Sequence, residues 1–163
     1  MPKRLILVRH AKSSWAHDLA DHRRPLNARG LRSAPLIGDW LRKNGYVPDV
    51  LLCSSAERTK QTCDGLGFDD VARAEKDTLY LASAEKMRKV LSAADGPCVC
   101  LIGHNPGIAD LAHRLVATPP AHDRFADYPT GATTVIDFDV EDWSEVTFGS
   151  GEVIGFTTPR DLE

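Results

Sequence analysis

Long hydrophobic runs are missing from this chain. The longest near its start, Leu5 to Val8, is cut off at once by Arg9. That is too short for a signal-peptide core or a membrane span, so no membrane association is expected. Cysteines are few, and Cys53, Cys63, Cys98 and Cys100 show no C-x-x-C spacing and no histidine at ligand distance from a pair. A zinc site is therefore not expected. Reduced thiols packed as small hydrophobes account for them, in a protein expected in the cytoplasm. Neither charge sign dominates: Lys and Arg total 20 against 23 Asp and Glu, a net charge of −3. With a pI near 6.1, a general nucleic-acid binder is not expected, although net charge says nothing about one cleft. Internal repeats and low-complexity segments are absent too, and the composition excludes collagen-like, disordered and coiled-coil classes.

What remains is an ordinary globular composition, with 163 residues, 42% of them hydrophobic and 26% charged. The length suits one domain over residues 1–163, able to bury roughly 68–70% of its unfolded surface. Strands and helices are expected to alternate. Leu5-Ile6-Leu7-Val8, Val50-Leu51-Leu52-Cys53 and Cys98 to Ile102 are continuous apolar runs, the mark of strands buried on both faces. Val71 to Ala74 suggests a shorter strand. Leu31, Ala34, Ile37, Gly38 and Leu41 form a helical stripe stopped by Asn44-Gly45, with Pro35 implying a kink or a later start. Ser54-x-x-Glu57 reads as a capping box, Ser83 as the cap of a helix burying Met87, Val90, Leu91 and Ala94, and Asn105-Pro106 as a cap with proline at the first helical position. Further on, Thr133 to Phe138 alternates, and Ser144–Phe148 with Glu152–Thr157 suggests a hairpin through Gly149-Ser150-Gly151. The pattern is α/β, with a largely parallel sheet and an antiparallel edge towards the C-terminus.

Ligands in open α/β sheets bind where strands end and helices begin. Three such ends carry cationic or imidazole groups: Arg9-His10, Ser54-Ser55-Ala56-Glu57-Arg58, and Gly103-His104 before Asn105-Pro106. If these strands are parallel neighbours, two arginines and two histidines converge beside two helix N-termini. Two histidines among arginines repel a metal cation, so no metal or other cofactor is expected. A doubly anionic phosphoryl group is the natural guest, because the guanidinium fork matches its oxygens. A neutral imidazole held there can attack phosphorus and carry the phosphoryl group covalently.

At these residues the chain resembles the histidine phosphatase superfamily, the phosphoglycerate-mutase-like enzymes. Leu7-Val8-Arg9-His10-Ala11 is similar to their signature, Ser54 to Thr62 to their second motif, and Gly103-His104-Asn105-Pro106 to their third. Arg9 to Trp15, Arg24-Pro25-Leu26-Asn27-x-x-Gly30, Pro129-Thr130-Gly131-Ala132 and Pro159-Arg160-Asp161-Leu162 look like the small SixA-type phosphohistidine phosphatases. The resemblance implies a three-layer α/β/α sandwich in its minimal form, without a cap insertion. It also implies that His10 is the nucleophile, and that Arg9, Arg58 and His104 bind the phosphoryl oxygens and stabilise the transition state.

Larger relatives place an acidic residue for the leaving group on or near an insertion. Here only Asp77 to Ala84 lies between the short strand and the next helix, and Glu85 is the nearest carboxylate. Glu85 is therefore the candidate acid, although a first-turn charge paired with Lys89 at i+4 is the more ordinary role for it. Asp18 and Asp21 in the first loop are rivals. Ala16 stands where related mutases carry an asparagine that contacts phosphate. The remaining histidines, 17, 22, 113 and 122, have no motif support. Trp15 belongs to the active-site loop, and Trp40 and Trp143 to packing.

A substrate whose leaving group is an imidazole, with a reference pKa of about 6.5, tolerates a weak acid better than an alkoxide does. The partner expected is accordingly a phosphohistidine protein, such as a phosphotransfer domain. A general small-molecule phosphomonoesterase and a phosphate-binding module without turnover are the alternatives. With an imidazole nucleophile of ordinary pKa, activity is expected to fall on the acid side as His10 gains a proton.

Overall fold

In the computed structural model, which describes residues 2–163, one six-stranded sheet runs through the middle of the molecule. Its strands are β1 (Lys3–Arg9), β2 (Val50–Ser54), β3 (Ala72–Lys76), β4 (Cys98–Gly103), β5 (Thr133–Phe138) and β6 (Glu152–Thr157), in the order β3-β2-β4-β1-β5-β6. The first four in that order are parallel neighbours, whereas β5 runs antiparallel to both β1 and β6. The helices are α1 (Ala28–Lys43), α2 (Glu57–Leu66), α3 (Ala84–Ser92), α4 (Gly107–Leu115) and the single turn α5 (Pro159–Leu162).

Alternation along each strand divides the interior into two cores. Leu5 and Leu7 of β1 face one side with Val99 and Leu101, where Met87 and Leu91 of α3 and Ile108, Leu111 and Leu115 of α4 cover them. Ile6 and Val8 face the other with Cys98, Cys100 and Ile102, under Ile37 and Leu41 of α1 and Cys63 and Leu66 of α2. This is the α/β/α sandwich expected. All four cysteines are buried and unpaired, and Cys98 and Cys100 do share one face. Trp143 packs in the first core with its indole N–H on the Gly96 carbonyl, 2.8 Å away, and Trp40 meets Tyr46 beside the second.

Several local readings need correction. The helix α1 starts ahead of its apolar stripe, because the Asn27 side chain accepts from the Gly30 N–H at 2.9 Å, and it runs on through Pro35. Leu31 is consequently turned outward and 55% exposed, and Gly30 and Ser33 occupy the buried face instead. No hairpin forms between 144 and 157: Trp143–Glu145 is a 3-10 turn capped by Asp142, and β6 pairs with β5. Ser54 does not cap α2, because it is still in β2 and its hydroxyl is engaged by His104. Asn105 does not cap α4 either, because its amide reaches across to the carbonyls of Asp127 and Tyr128.

One close approach sets where α4 begins. A Cβ on Gly107 would lie 1.8 Å from the Ala82 carbonyl oxygen, which no side chain tolerates. Glycine here lets the start of α4 press against the segment that carries Leu81. Gly107→Ala is expected to destabilise the protein by roughly 1–3 kcal/mol through this overlap, measured as a lowered urea midpoint with an unchanged m-value.

Candidate active site

Because β4 lies between β1 and β2, the three strand ends are adjacent. Arg9 pairs with Gly103 in the β1–β4 register, so His10 and His104 leave the sheet side by side with ring centroids 5.4 Å apart. Arg58 enters from the first turn of α2. Together they line a cavity of about 220 Å³, to which Lys12, Ser13, Trp15, Arg24, Leu81, Asn105 and Thr130 also contribute. The four residues expected to converge do so.

Each imidazole is held by a polar partner. His10 donates its Nδ1–H to the carbonyl of Ala11 at 2.7 Å. A carbonyl can only accept, so the proton sits on Nδ1 and the lone pair on Nε2. The following residue is anchored too: the Ala11 N–H donates to Thr62 Oγ1 of α2 at 3.0 Å. His104 Nε2 lies 2.7 Å from Ser54 Oγ, which already accepts from the Ala56 N–H at 3.3 Å. With the serine hydroxyl proton turned to Nε2, the His104 proton falls on Nδ1, a buried atom with no protein partner. Burial first, then the charges of Arg9, Arg58 and Arg24, push the His10 pKa down to about 3. Burial, the neighbouring His10 and Arg58 bring His104 to about 3 as well. Both rings are therefore neutral at physiological pH.

The arginines are aimed by other groups. The guanidinium of Arg58 donates to the Asp21 carbonyl at 2.7 Å and to its carboxylate at 3.0 Å. Tyr80 donates its hydroxyl to the same carboxylate and lays its ring edge-on to His104 at 5.5 Å. Burial alone would raise the Asp21 pKa, but the hydrogen bonds from Tyr80 and Arg58 outweigh it and hold the carboxyl at about 2. Arg9 donates to the Tyr128 carbonyl at 3.1 Å. That carbonyl also accepts from Asn105 at 3.0 Å, and Tyr128 adopts a positive φ of 50° to present it. Arg24 is buried, donates to Ser13 Oγ at 2.8 Å, and stacks over the Trp15 ring at 3.5 Å.

Among the described residues, five buried side-chain polar atoms lack a hydrogen-bond partner. Four belong to cavity-lining residues: Arg9 Nε, Arg58 Nε, His104 Nδ1 and Asn105 Oδ1. Arg9 Nε and Arg58 Nε are donors, as His104 Nδ1 is when Ser54 donates to Nε2, and the lining contains Arg9, Lys12, Arg24 and Arg58 with no carboxylate. Such a donor set repels a cation and fits a phosphoryl dianion beside an unprotonated nitrogen.

Glu85 is not brought into this site. It is exposed on α3 and forms an ion pair with Arg114 of α4, rather than with Lys89. That hydrogen bond keeps its carboxyl below the ordinary range, the wrong direction for a proton donor. Of the rival acids, Asp21 is at the site but acts as the acceptor for Arg58, Arg24 and Tyr80. Sequence reasoning missed Tyr80 and Tyr128 as parts of the site, since no spacing marks them, and it placed Ser54 at the strand end as a helix cap rather than as the partner of His104. Arg24 and Lys12 entered only through stretches resembling the SixA-type enzymes.

Two outcomes are expected. Asp21→Asn should lower kcat/KM about tenfold, the lower end for partners that orient catalytic groups, and should also lower the thermal midpoint, because it removes the charge paired with the buried Arg58. The depressed histidine pKa values fix the sign of the acid response. Unfolded histidines take up protons below about pH 6.5, whereas the folded ones stay neutral down to about 3. Stability should accordingly decline as pH falls through that window, while the His10 and His104 ring resonances remain in their neutral positions by NMR. The acid limb expected for an ordinary imidazole moves down with them.

Comparison with known proteins follows the same lines. The family model of the histidine phosphatase superfamily (branch 1) matches residues 5–78. An uncharacterized protein of Mycobacterium tuberculosis is 33% identical over 159 residues, covering 94% of this chain and 100% of the relative. One of Mycobacterium leprae is 30% identical over 163 residues, with the same coverage. Among solved structures, a provisionally assigned phosphohistidine phosphatase SixA from Nakamurella multipartitia superposes with a TM-score of 0.86 and 27% identity, over 98% of this chain and 97% of that one. Another from Agrobacterium tumefaciens gives 0.80 and 27%, over 98% and 99%. With sequence kinship along nearly its whole length and the same fold around the converged strand ends, the chain belongs to the histidine phosphatase superfamily and is a phosphatase.

Proposed function

We propose that this phosphatase removes the phosphoryl group from phosphohistidine on a protein, by way of a covalent phosphohistidine on His10. The observation that carries the reading is the lining of the cavity: cations and neutral imidazoles, with an unprotonated His10 Nε2 and no carboxylate. His10 Nε2 attacks phosphorus, and the P–N bond to the substrate imidazole breaks. The departing nitrogen takes its proton from solvent, which an imidazole accepts readily and an alkoxide leaving group would need a dedicated acid to match. Water then attacks the phosphorus of the phosphoenzyme, releasing phosphate and restoring His10. Arg9, Arg58 and the Nδ1–H of His104 hold the equatorial oxygens throughout, so catalysis comes from positioning and charge stabilisation.

A protein substrate is supported by the mouth of the cavity. Trp15 and Leu81 line it and are 77% and 54% exposed. Leu81 is held at a positive φ of 48°, a costly conformation for a leucine. Large apolar side chains displayed around a polar cavity suit the docking of a protein surface. A phosphotransfer protein is the class of partner proposed, and a cytoplasmic location is proposed with it, supported by the four unpaired cysteines.

The test is an acid-labile phosphoenzyme. Wild-type protein incubated with labelled phosphohistidine protein should accumulate it, and His10→Ala should neither accumulate it nor turn over. Loss of the His104 or Arg58 donor should cost roughly 10²–10³ in kcat. Normal turnover by His10→Ala sinks the nucleophile assignment, and equal kcat/KM on simple phosphate esters sinks the preference for phosphohistidine.

A further inference from the structure

A second cavity, of about 190 Å³, adjoins the phosphoryl site. Lys12 and Thr130 line both, so the two cavities are immediate neighbours. Four cations from four separate segments face this neighbour: Lys12 after β1, Arg29 of α1, Arg124 of the loop before β5, and Arg160 of α5. No carboxylate lines it, in a chain whose net charge is −3. The cations are thus concentrated on one side of the catalytic mouth, against the overall balance.

From this arrangement we infer that the second cavity is a docking subsite for acidic side chains of the partner protein, which seats them while the phosphohistidine enters the catalytic cavity. The inference rests on the reading of the substrate as a phosphohistidine protein, and it adds what that protein must carry beside its phosphorylated histidine. The state of the four cations selects carboxylates over a second phosphate. Arg124 directs its fork to Asp127, with donors 3.0 and 3.1 Å from the carboxylate oxygens, and Arg29 pairs with Glu163 at 3.2 Å. A phosphate dianion calls for free forks and buried donors, as in the catalytic cavity. Here the two paired arginines are exposed, and an incoming carboxylate exchanges with Asp127 or Glu163 at little cost in solvation. Lys12 and Arg160 have no carboxylate partner among the described residues, so they are the two charges that an acidic surface neutralises outright. Such contacts raise the encounter rate and orient the partner.

Arg160 is the residue to change, since it is exposed and lies outside the catalytic cavity. Wild type, Arg160→Glu and Arg160→Lys are compared on two phosphohistidine peptides that differ only in having Glu or Gln around the histidine. On the acidic peptide, Arg160→Glu is expected to raise KM about tenfold with kcat unchanged, an effect that fades with added salt. Arg160→Lys should restore it. On the Gln peptide and on p-nitrophenyl phosphate, all three proteins should agree within about twofold. Equal effects of Arg160→Glu on both peptides, or none on either, overturn the subsite. If neither peptide is turned over while p-nitrophenyl phosphate is, the phosphohistidine reading fails by itself. The unphosphorylated acidic peptide then decides the subsite as a competitive inhibitor of ester hydrolysis. Its inhibition constant should rise about tenfold in Arg160→Glu, and an unchanged constant overturns the inference.

Discussion

Two neutral imidazoles held among three guanidiniums are the constraint on which this molecule turns. Arg9, Arg24 and Arg58 surround His10 in a buried space, where a proton on either ring would add a like charge. The rings therefore stay neutral, and neutrality is what makes His10 Nε2 a nucleophile. The same crowding makes an anion the natural occupant, because only a negative group relieves the arginines and meets the donors at Arg9 Nε, Arg58 Nε and His104 Nδ1. Nucleophile and binding site are thus one electrostatic arrangement. Asp21 is the exception that stabilises it: its carboxylate accepts from Arg58, Arg24 and Tyr80 and sits outside the cavity lining. It anchors the arginines without occupying the place of the substrate.

Much of the fold was readable because burial on both faces leaves a plain mark. The runs Leu5–Val8, Val50–Cys53 and Cys98–Ile102 are apolar at every position, and each is a central strand. The chemistry was readable for a related reason. A charged or imidazole residue directly after such a run has nowhere to go but the strand end. The antiparallel edge was recognised, but not its pairing. Val146 is buried in the first core directly after a 3-10 turn that carries Trp143, so apolar spacing there imitated a strand. Capping signals misled where tertiary partners competed for the same atoms. Ser54 and Asn105 have the right side chains for helix caps, yet His104 and the 127–128 carbonyls hold them.

The leaving-group acid shows a different limit. Glu85 is near the catalytic segment in sequence but points along the outer face of α3 towards Arg114. Asp21 is far from Arg58 in sequence and touches it. Neither fact has a periodicity. The partners of Arg9 are equally invisible, since the positive φ of Tyr128 that delivers its carbonyl follows from packing. Its hydroxyl donates to the Leu7 carbonyl 3.0 Å away, deep in the core. Orientation of the site thus depends on long-range contacts, whereas its membership depends on local ones.

The β1–β4 register has a consequence for how such a chain can change in length. Arg9 lies opposite Gly103, and the two histidines follow one step later on each strand. Adding a residue to either strand would shift one ring against the other by about 3.3 Å and exchange the two core faces. The long segment between α4 and β5 is pinned only at its ends, by the Ala117 N–H on the Gly151 carbonyl and by His122 on Asp161 ahead of the buried Phe125. Insertions and deletions are therefore tolerable across residues 118 to 121 and nowhere within the two central strands, which work together as a fixed ruler for the distance between nucleophile and anion clamp.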